Sequence, residues 1–314
     1  MPLPDSVKPG DVVLSRGTGS ISRAICLLDG SEVSHAALAL DRERVAETVG
    51  EGLRTIGSAE VMKEHDLMVA RTMAAPAETA PVLKVAAGYL EHGARYAHQQ
   101  VVLLAVLCVS RHIPLPPGGR RMVRTALDQA AGAVNAMAER GQHPMICSEF
   151  VYRCFAEAQP SAPYVLKIGQ EESGAGGSLL DWARANPALD AVRAHPGAGR
   201  FDAAAAEKAL APLVSAYAAA TAGNSKRLPG IGTAPVPGTA ALSDPGDEEL
   251  LASMTAFGTA LHRARTGEAK GSLPPREAVA EIRSVHEEPN FVTPGDLLRS
   301  ASLVEVHRQT SAPQ

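Results

Sequence analysis

The chain has 314 residues and a mass of 32.6 kDa, enough for roughly two average domains. Its 30 Lys and Arg against 34 Asp and Glu leave a formal net charge of −4, which argues against a protein whose main business is gripping nucleic-acid phosphates. Hydrophobic residues make up 45% and aromatic residues 4%, so a sizeable, mostly aliphatic core is expected and wholesale disorder is not.

In chain order, Pro9 and Gly10 punctuate a turn, and Val12, Val13 and Leu14 carry the β-branched bias of a strand. Residues 19–28 predict a short helix, with Ser20 as its N-cap and Ile21, Ala24, Ile25 and Leu28 on one face. Residues 34–41 and 44–49 are strand-length runs, and the charged stretch Asp41–Arg44 between them suits a hairpin turn. Residues 52–57 extend the meander, 58–65 predict a helical turn and 67–71 another strand. Helices follow at 77–92, 97–110 and 120–139. In the segment 143–158, Phe150, Val151, Cys154 and Phe155 form one apolar helical face. Further helices are expected at 201–223, 248–265 and 276–288, with a Pro- and Gly-rich flexible linker at about 224–245. Residues 290–306 return to a loop-and-strand texture.

Cys26, Cys108, Cys147 and Cys154 contain no CxxC pair, so neither a disulfide scaffold nor a zinc site of ordinary spacing is expected. The apolar run Val101–Val109 is far short of the ~20 residues that span a membrane, so it reads as a buried core helix. The first residues show no basic stretch followed by an apolar one, which leads to the expectation of a cytoplasmic protein.

Three residues carry candidate chemistry. Cys147 lies where a helix begins, and there the free N–H groups stabilise a thiolate and can receive an oxyanion during acyl transfer. His35 opens a strand, where its imidazole can face a cleft. Glu47 lies on the partner strand, in a register that allows it to be a diagonal neighbour of His35 on the same face. A carboxylate there would set the imidazole tautomer and stabilise the imidazolium. Taken one at a time, the plain alternatives are an inert buried thiol, a structural histidine and a solvated strand glutamate. Glu149 is expected to interact with the helix dipole, Cys154 to be core, and Arg71 to do no more than solvate a strand end.

The series Gly10–Asp11, Ser34–His35, Glu47 and Cys147–Val151 resembles the circularly permuted papain-like cysteine hydrolases, related to NlpC and of the YiiX type. The resemblance covers roughly residues 8–160 and resumes at the closing segment 290–307. It implies Cys147 as nucleophile, His35 as general base and Glu47 as orienting acid. Departures are Thr48, where a small residue is more usual, and Ala97 beside Tyr96, where an acidic neighbour is more usual.

The fold expected from this is α+β: a permuted papain-like domain over 1–200, its small antiparallel sheet packed on the nucleophile helix and completed by 290–307. Residues 201–289 are expected to form a helical elaboration. The expected function is a cysteine hydrolase or acyl transferase acting on a peptide-like amide of a small-molecule or peptide substrate, through a thioester and without a metal or organic cofactor. The alternatives are a thioesterase or acyltransferase on lipid or carrier-bound acyl groups, which needs an apolar groove that Val101–Val109 could wall, and a non-catalytic binding module. No nucleic-acid partner or transmembrane segment is expected, and the sequence leaves the oligomeric state open.

Overall fold

The computed structural model describes residues 2–49, 52–75, 77–91, 100–111, 118–142, 145–158, 164–168, 177–193, 201–221, 245–268, 272–288 and 291–310. Most of the 224–245 linker lies outside these residues, as do Tyr96, His92, His98, His112 and His143.

Strands β1 (Val12–Gly17), β2 (His35–Ala39), β3 (Arg44–Val49), β4 (Gly52–Gly57), β5 (His65–Met73) and β6 (Leu303–Thr310) form one antiparallel sheet, in the order β4-β3-β2-β1-β5-β6. The two-residue alternation of the strands sorts their side chains onto two covered faces. Val12, Leu14, Ala36, Leu38, Ala46, Leu67 and Val69 pack with Val82 and Ala86 of helix α3 (Ala80–Glu91) and with Phe150, Val151, Cys154 and Phe155 of helix α6 (Cys147–Ala156). Val13, Ala37, Ala39, Val45, Met68 and Ala70 pack with Leu3, Val7 and Val61, the last from helix α2 (Ser58–Glu64). The β2–β3 turn falls where the charged stretch predicts it. Asp41 Oδ1 accepts the backbone N–H groups of Glu43 and Arg44, each at 2.8 Å, and this Asx-type bonding fixes the register.

A second core joins α1 (Ser20–Leu28), α4 (Gln100–Ser110), α5 (Gly119–Glu139), α7 (Leu179–Ala185), α8 (Ala203–Thr221), α9 (Asp247–Thr266) and α10 (Pro275–Glu287). Every residue of α4 from Val101 to Ser110 is buried, as a helix apolar all round should be. Two close fits dock the later helices. A Cβ on Gly258 of α9 would lie 1.9 Å from the Ala278 carbonyl oxygen of α10, so only glycine lets these backbones touch. The N-cap of α1 is Gly19 rather than the expected Ser20, and it has no side-chain cap of its own. Instead the Glu207 carboxylate of α8 accepts the Ser20 and Ile21 N–H groups, a distant side chain doing what a local one was expected to do.

The closing segment departs from the loop-and-strand expectation by forming a short helix, α11 (Pro294–Arg299), before β6. Thr293 caps it by accepting the Asp296 N–H at 3.1 Å, and Asp296 reaches back to the Thr293 N–H at 2.9 Å. Arg71 does more than solvate a strand end, since its guanidinium donates to the carbonyls of Leu297 (2.8 Å), Leu298 and Leu303. On the other side, fully buried Asp29, at the end of α1, accepts from Thr293 Oγ1 and from the Gly295 N–H, both at 2.8 Å, with Arg111 and Arg299 each 3.5 Å away. A Cβ on Gly295 would sit 2.5 Å from Asp29 Oδ2, which leaves no room for another residue. Asp29→Ala would leave the Thr293 hydroxyl and the Gly295 N–H without their buried acceptor, while Arg299 keeps Asp296 at 3.1 Å. It is expected to cost about 2–5 kcal/mol, at about 1–3 kcal/mol for each buried donor left unsatisfied. Urea denaturation checks this, and a loss below 1 kcal/mol would show that the closing segment is held by other means.

Candidate active site

His35 and Glu47 come together through strand register. Glu47 pairs directly with Ala37, so His35, two residues earlier on β2, is its diagonal neighbour on the same face. His35 Nε2 lies 2.9 Å from Glu47 Oε2, with both side chains almost wholly buried. Glu47 is held ionised, so Nε2 carries the proton and donates. In the neutral ring that tautomer would leave Nδ1 with the lone pair that takes up a further proton, and Nδ1 is buried without a hydrogen-bond partner.

Cys147 reaches the same place from the other side of a split in the sheet. The β2–β3 ladder ends at Ala37 and Glu47, although β3 runs on to Val49 beside β4. On β2 the next N–H belongs to Ala36, and it and the N–H of Ser148 at the start of α6 both favour the Cys147 thiolate. The start of α6 is pinned separately. Ser148 Oγ donates to the Val292 carbonyl, and Glu149 accepts the Ile146 N–H (3.4 Å) and the Arg153 Nε (2.8 Å). Glu149 therefore serves the helix start as the sequence predicts, and Cys154 lies in the core.

The electrostatics follow from this grouping. Burial raises the cost of a Cys147 thiolate, but the positive charge of His35 and the N–H groups of Ala36 and Ser148 outweigh it, so the thiol is pulled below its ordinary value. For His35, burial opposes the imidazolium, while Cys147 and then Glu47 favour it, and the balance lies well above the usual imidazole range. Burial likewise opposes ionisation of Glu47, yet His35 and Arg54 bring its carboxyl down to about 2. The other cysteines behave in the opposite way. Burial pushes Cys26 and Cys108 up to about 12 and Cys154 higher still. All four thiols are free and buried, so ionisation rather than access separates Cys147 from the rest.

Two neighbours were not singled out from the sequence. Arg54, directly opposite Glu47 on β4, donates from Nε (3.0 Å) and Nη2 (2.8 Å) to Glu47 Oε1. His65, at the start of β5, stacks on His35 with ring centroids 5.9 Å apart, and its own Nδ1 bonds to the Val61 carbonyl. The sequence signal for Arg54 was its place across the β3–β4 hairpin. His65 carries no local signal, because its approach depends on β1 lying between β2 and β5. Among the described residues no cluster of three or more His, Cys, Asp or Glu is placed to hold a metal ion, and no helix is long and apolar enough to cross a membrane.

These features define an α+β protein in which a small antiparallel sheet and the start of one helix bring a cysteine, a histidine and a carboxylate together in the interior. Among known proteins, the chain is similar to the probable lipoprotein peptidase YaeF of Escherichia coli (strain K12), with 29% identity over 157 residues. The match takes in 48% of this chain and 56% of that relative, so the chain spans little more than half the relative's length. No protein-family model matches the chain, and no solved structure does.

Proposed function

We propose that the protein is a cysteine hydrolase of the circularly permuted papain-like kind, which cleaves a peptide-like amide through a thioester. The observation that carries this reading is the joined set Cys147, His35 and Glu47, in which one thiol of four is pulled toward its thiolate while the others are pushed away from theirs. The thiolate attacks the carbonyl carbon, the oxyanion forms near the first N–H groups of α6, and His35 gives its proton to the leaving amine. The amine departs and leaves the acyl group on Cys147. Neutral His35 then takes a proton from water as the water attacks the thioester, the acid product leaves, and the Cys147 thiolate and His35 imidazolium are restored. Glu47 holds the ring in the tautomer that accepts at Nδ1 and supports its charge.

The name of the relative, a probable lipoprotein peptidase, supports amide chemistry. The alternative, an acyl transferase or thioesterase on lipid groups, gains nothing from the apolar run of α4. Those residues are buried among helices of the second core and leave no face to wall an open groove.

Sub-stoichiometric iodoacetamide at neutral pH, read by peptide mass spectrometry, is expected to label Cys147 ahead of the other three cysteines. A panel of peptide amides and acyl esters, run with the natural protein and with Cys147→Ala, is expected to show amide cleavage that the variant lacks. Preferential labelling of Cys26, Cys108 or Cys154, or turnover that survives Cys147→Ala, would overturn the reading. Turnover of esters alone would move the assignment to the acyl-ester alternative.

A further inference from the structure

We infer that Arg54 is a positioning residue for the Cys147–His35 pair, holding Glu47 in the orientation and charge state in which its second oxygen faces His35. The inference rests on the cysteine-hydrolase reading, because it assigns Arg54 a part in forming the nucleophile.

The two oxygens of Glu47 have separate partners. Oε2 takes the His35 Nε2 proton at 2.9 Å, and Oε1 takes both Nε and Nη2 of Arg54, at 3.0 and 2.8 Å. With Oε1 anchored by two charge-assisted bonds from Arg54, rotation of the carboxylate is restrained and Oε2 is kept toward His35. Burial differs sharply along the chain of contacts. The Glu47 side chain is 2% exposed, while that of Arg54 is 42% exposed. Arg54 thus lies over a buried carboxylate from the solvent side. Register accounts for the pairing, since Glu47 and Arg54 are directly opposed across β3 and β4. A slip of one residue would send Arg54 to the other face.

The charged and titratable groups around the pair come from four elements: Cys147 of α6, Glu47 of β3, Arg54 of β4 and His65 stacked on His35 from β5. Charge alternates along the line Arg54, Glu47, His35, Cys147. Two roles for Arg54 therefore predict opposite outcomes. If it orients Glu47, removing it lets the buried carboxylate turn away or take up a proton. His35 then loses its support, and the Cys147 thiolate becomes harder to form. If Arg54 only neutralises Glu47, removing it leaves a stronger partner for His35, and the thiolate becomes easier to form.

The experiment is the pH dependence of Cys147 alkylation by iodoacetamide in the full chain, for the natural protein, Arg54→Met and Arg54→Lys, with thermal melting followed alongside. Orientation predicts that Arg54→Met moves the alkylation profile to higher pH by about one pKa step, which lowers the rate about tenfold at pH values below the midpoint of the natural profile, with Arg54→Lys between the two. Because Arg54 acts through Glu47, Arg54→Met is expected to add nothing in a Glu47→Gln background, which keeps the inference testable if one single variant folds poorly. An unchanged or downward-shifted profile, or a lowered melting temperature with no shift in the profile, overturns the inference and leaves the hydrolase reading standing. A natural protein in which Cys147 reacts no faster than the other three cysteines overturns both.

Discussion

Replacing Cys147 by serine is expected to lower kcat/KM by roughly 10⁴-fold or more, the scale on which loss of a nucleophile acts in triad enzymes. The two residues have nearly the same shape, so the loss would come from ionisation. The positive charge of His35 and the N–H groups of Ala36 and Ser148 favour an anion there. A hydroxyl in that place would meet the same groups but would hold its proton far more tightly. Substrate binding should survive, which separates this loss from unfolding. The signs of the shifts also fix the pH profile of the natural protein. Cys147 is pulled down, so the rising limb, where thiolate forms, should lie below the ordinary thiol range. His35 is pulled up, so the falling limb, where imidazolium loses its proton, should lie above the ordinary imidazole range. The two limbs belong to the pair rather than to either residue alone. Activity that stays within a few-fold of the natural level in the serine variant would remove Cys147 from the chemistry.

Much of the frame around these residues could be read from one sequence, because it depends on local patterns. Alternation in the two runs 34–41 and 44–49, with a charged turn between them, was enough to set His35 and Glu47 on one face as diagonal neighbours. The apolar spacing Phe150, Val151, Cys154 and Phe155 was enough to start a helix near Cys147 and to turn its inner side toward the sheet. What escaped is what depends on long-range approach. Arg71 meets carbonyls more than two hundred residues away, Asp29 meets Thr293 and Gly295, and Glu207 caps a helix that ends before residue 30. No window of sequence contains both partners of any of these contacts. The short helix α11 is a different case. Its Thr293, Pro294 and Asp296 form a legible capping signal, but six residues are too few for a helical period to show. The split between β2 and β3 was hidden for a further reason, since alternation predicts which face a strand residue takes but not where a ladder ends.

The strongest expected coupling is between His35 and Glu47. His35→Ala should lower kcat/KM by roughly 10⁴-fold, since the thiolate loses its counter-charge and the leaving amine its proton donor. Glu47→Gln should keep the fold, since the amide oxygen can still accept from Arg54. The amide nitrogen, however, would then face His35 Nε2, and two N–H groups cannot bond to each other. The ring would be driven to carry its proton on Nδ1, the nitrogen that has to take a proton from the thiol. A roughly 10³-fold loss is expected from this wrong tautomer together with the lost support for the imidazolium. If both residues serve one step, the second change has nothing left to remove. The double variant should then lie within a few-fold of His35→Ala alone, far from the roughly 10⁷-fold loss that independent effects would multiply to. The measurement is kcat/KM for the four proteins of the cycle, with melting temperatures to confirm that each is folded. Losses that multiply would show that Glu47 does not act through His35, and the three-residue assignment would reduce to Cys147 and His35.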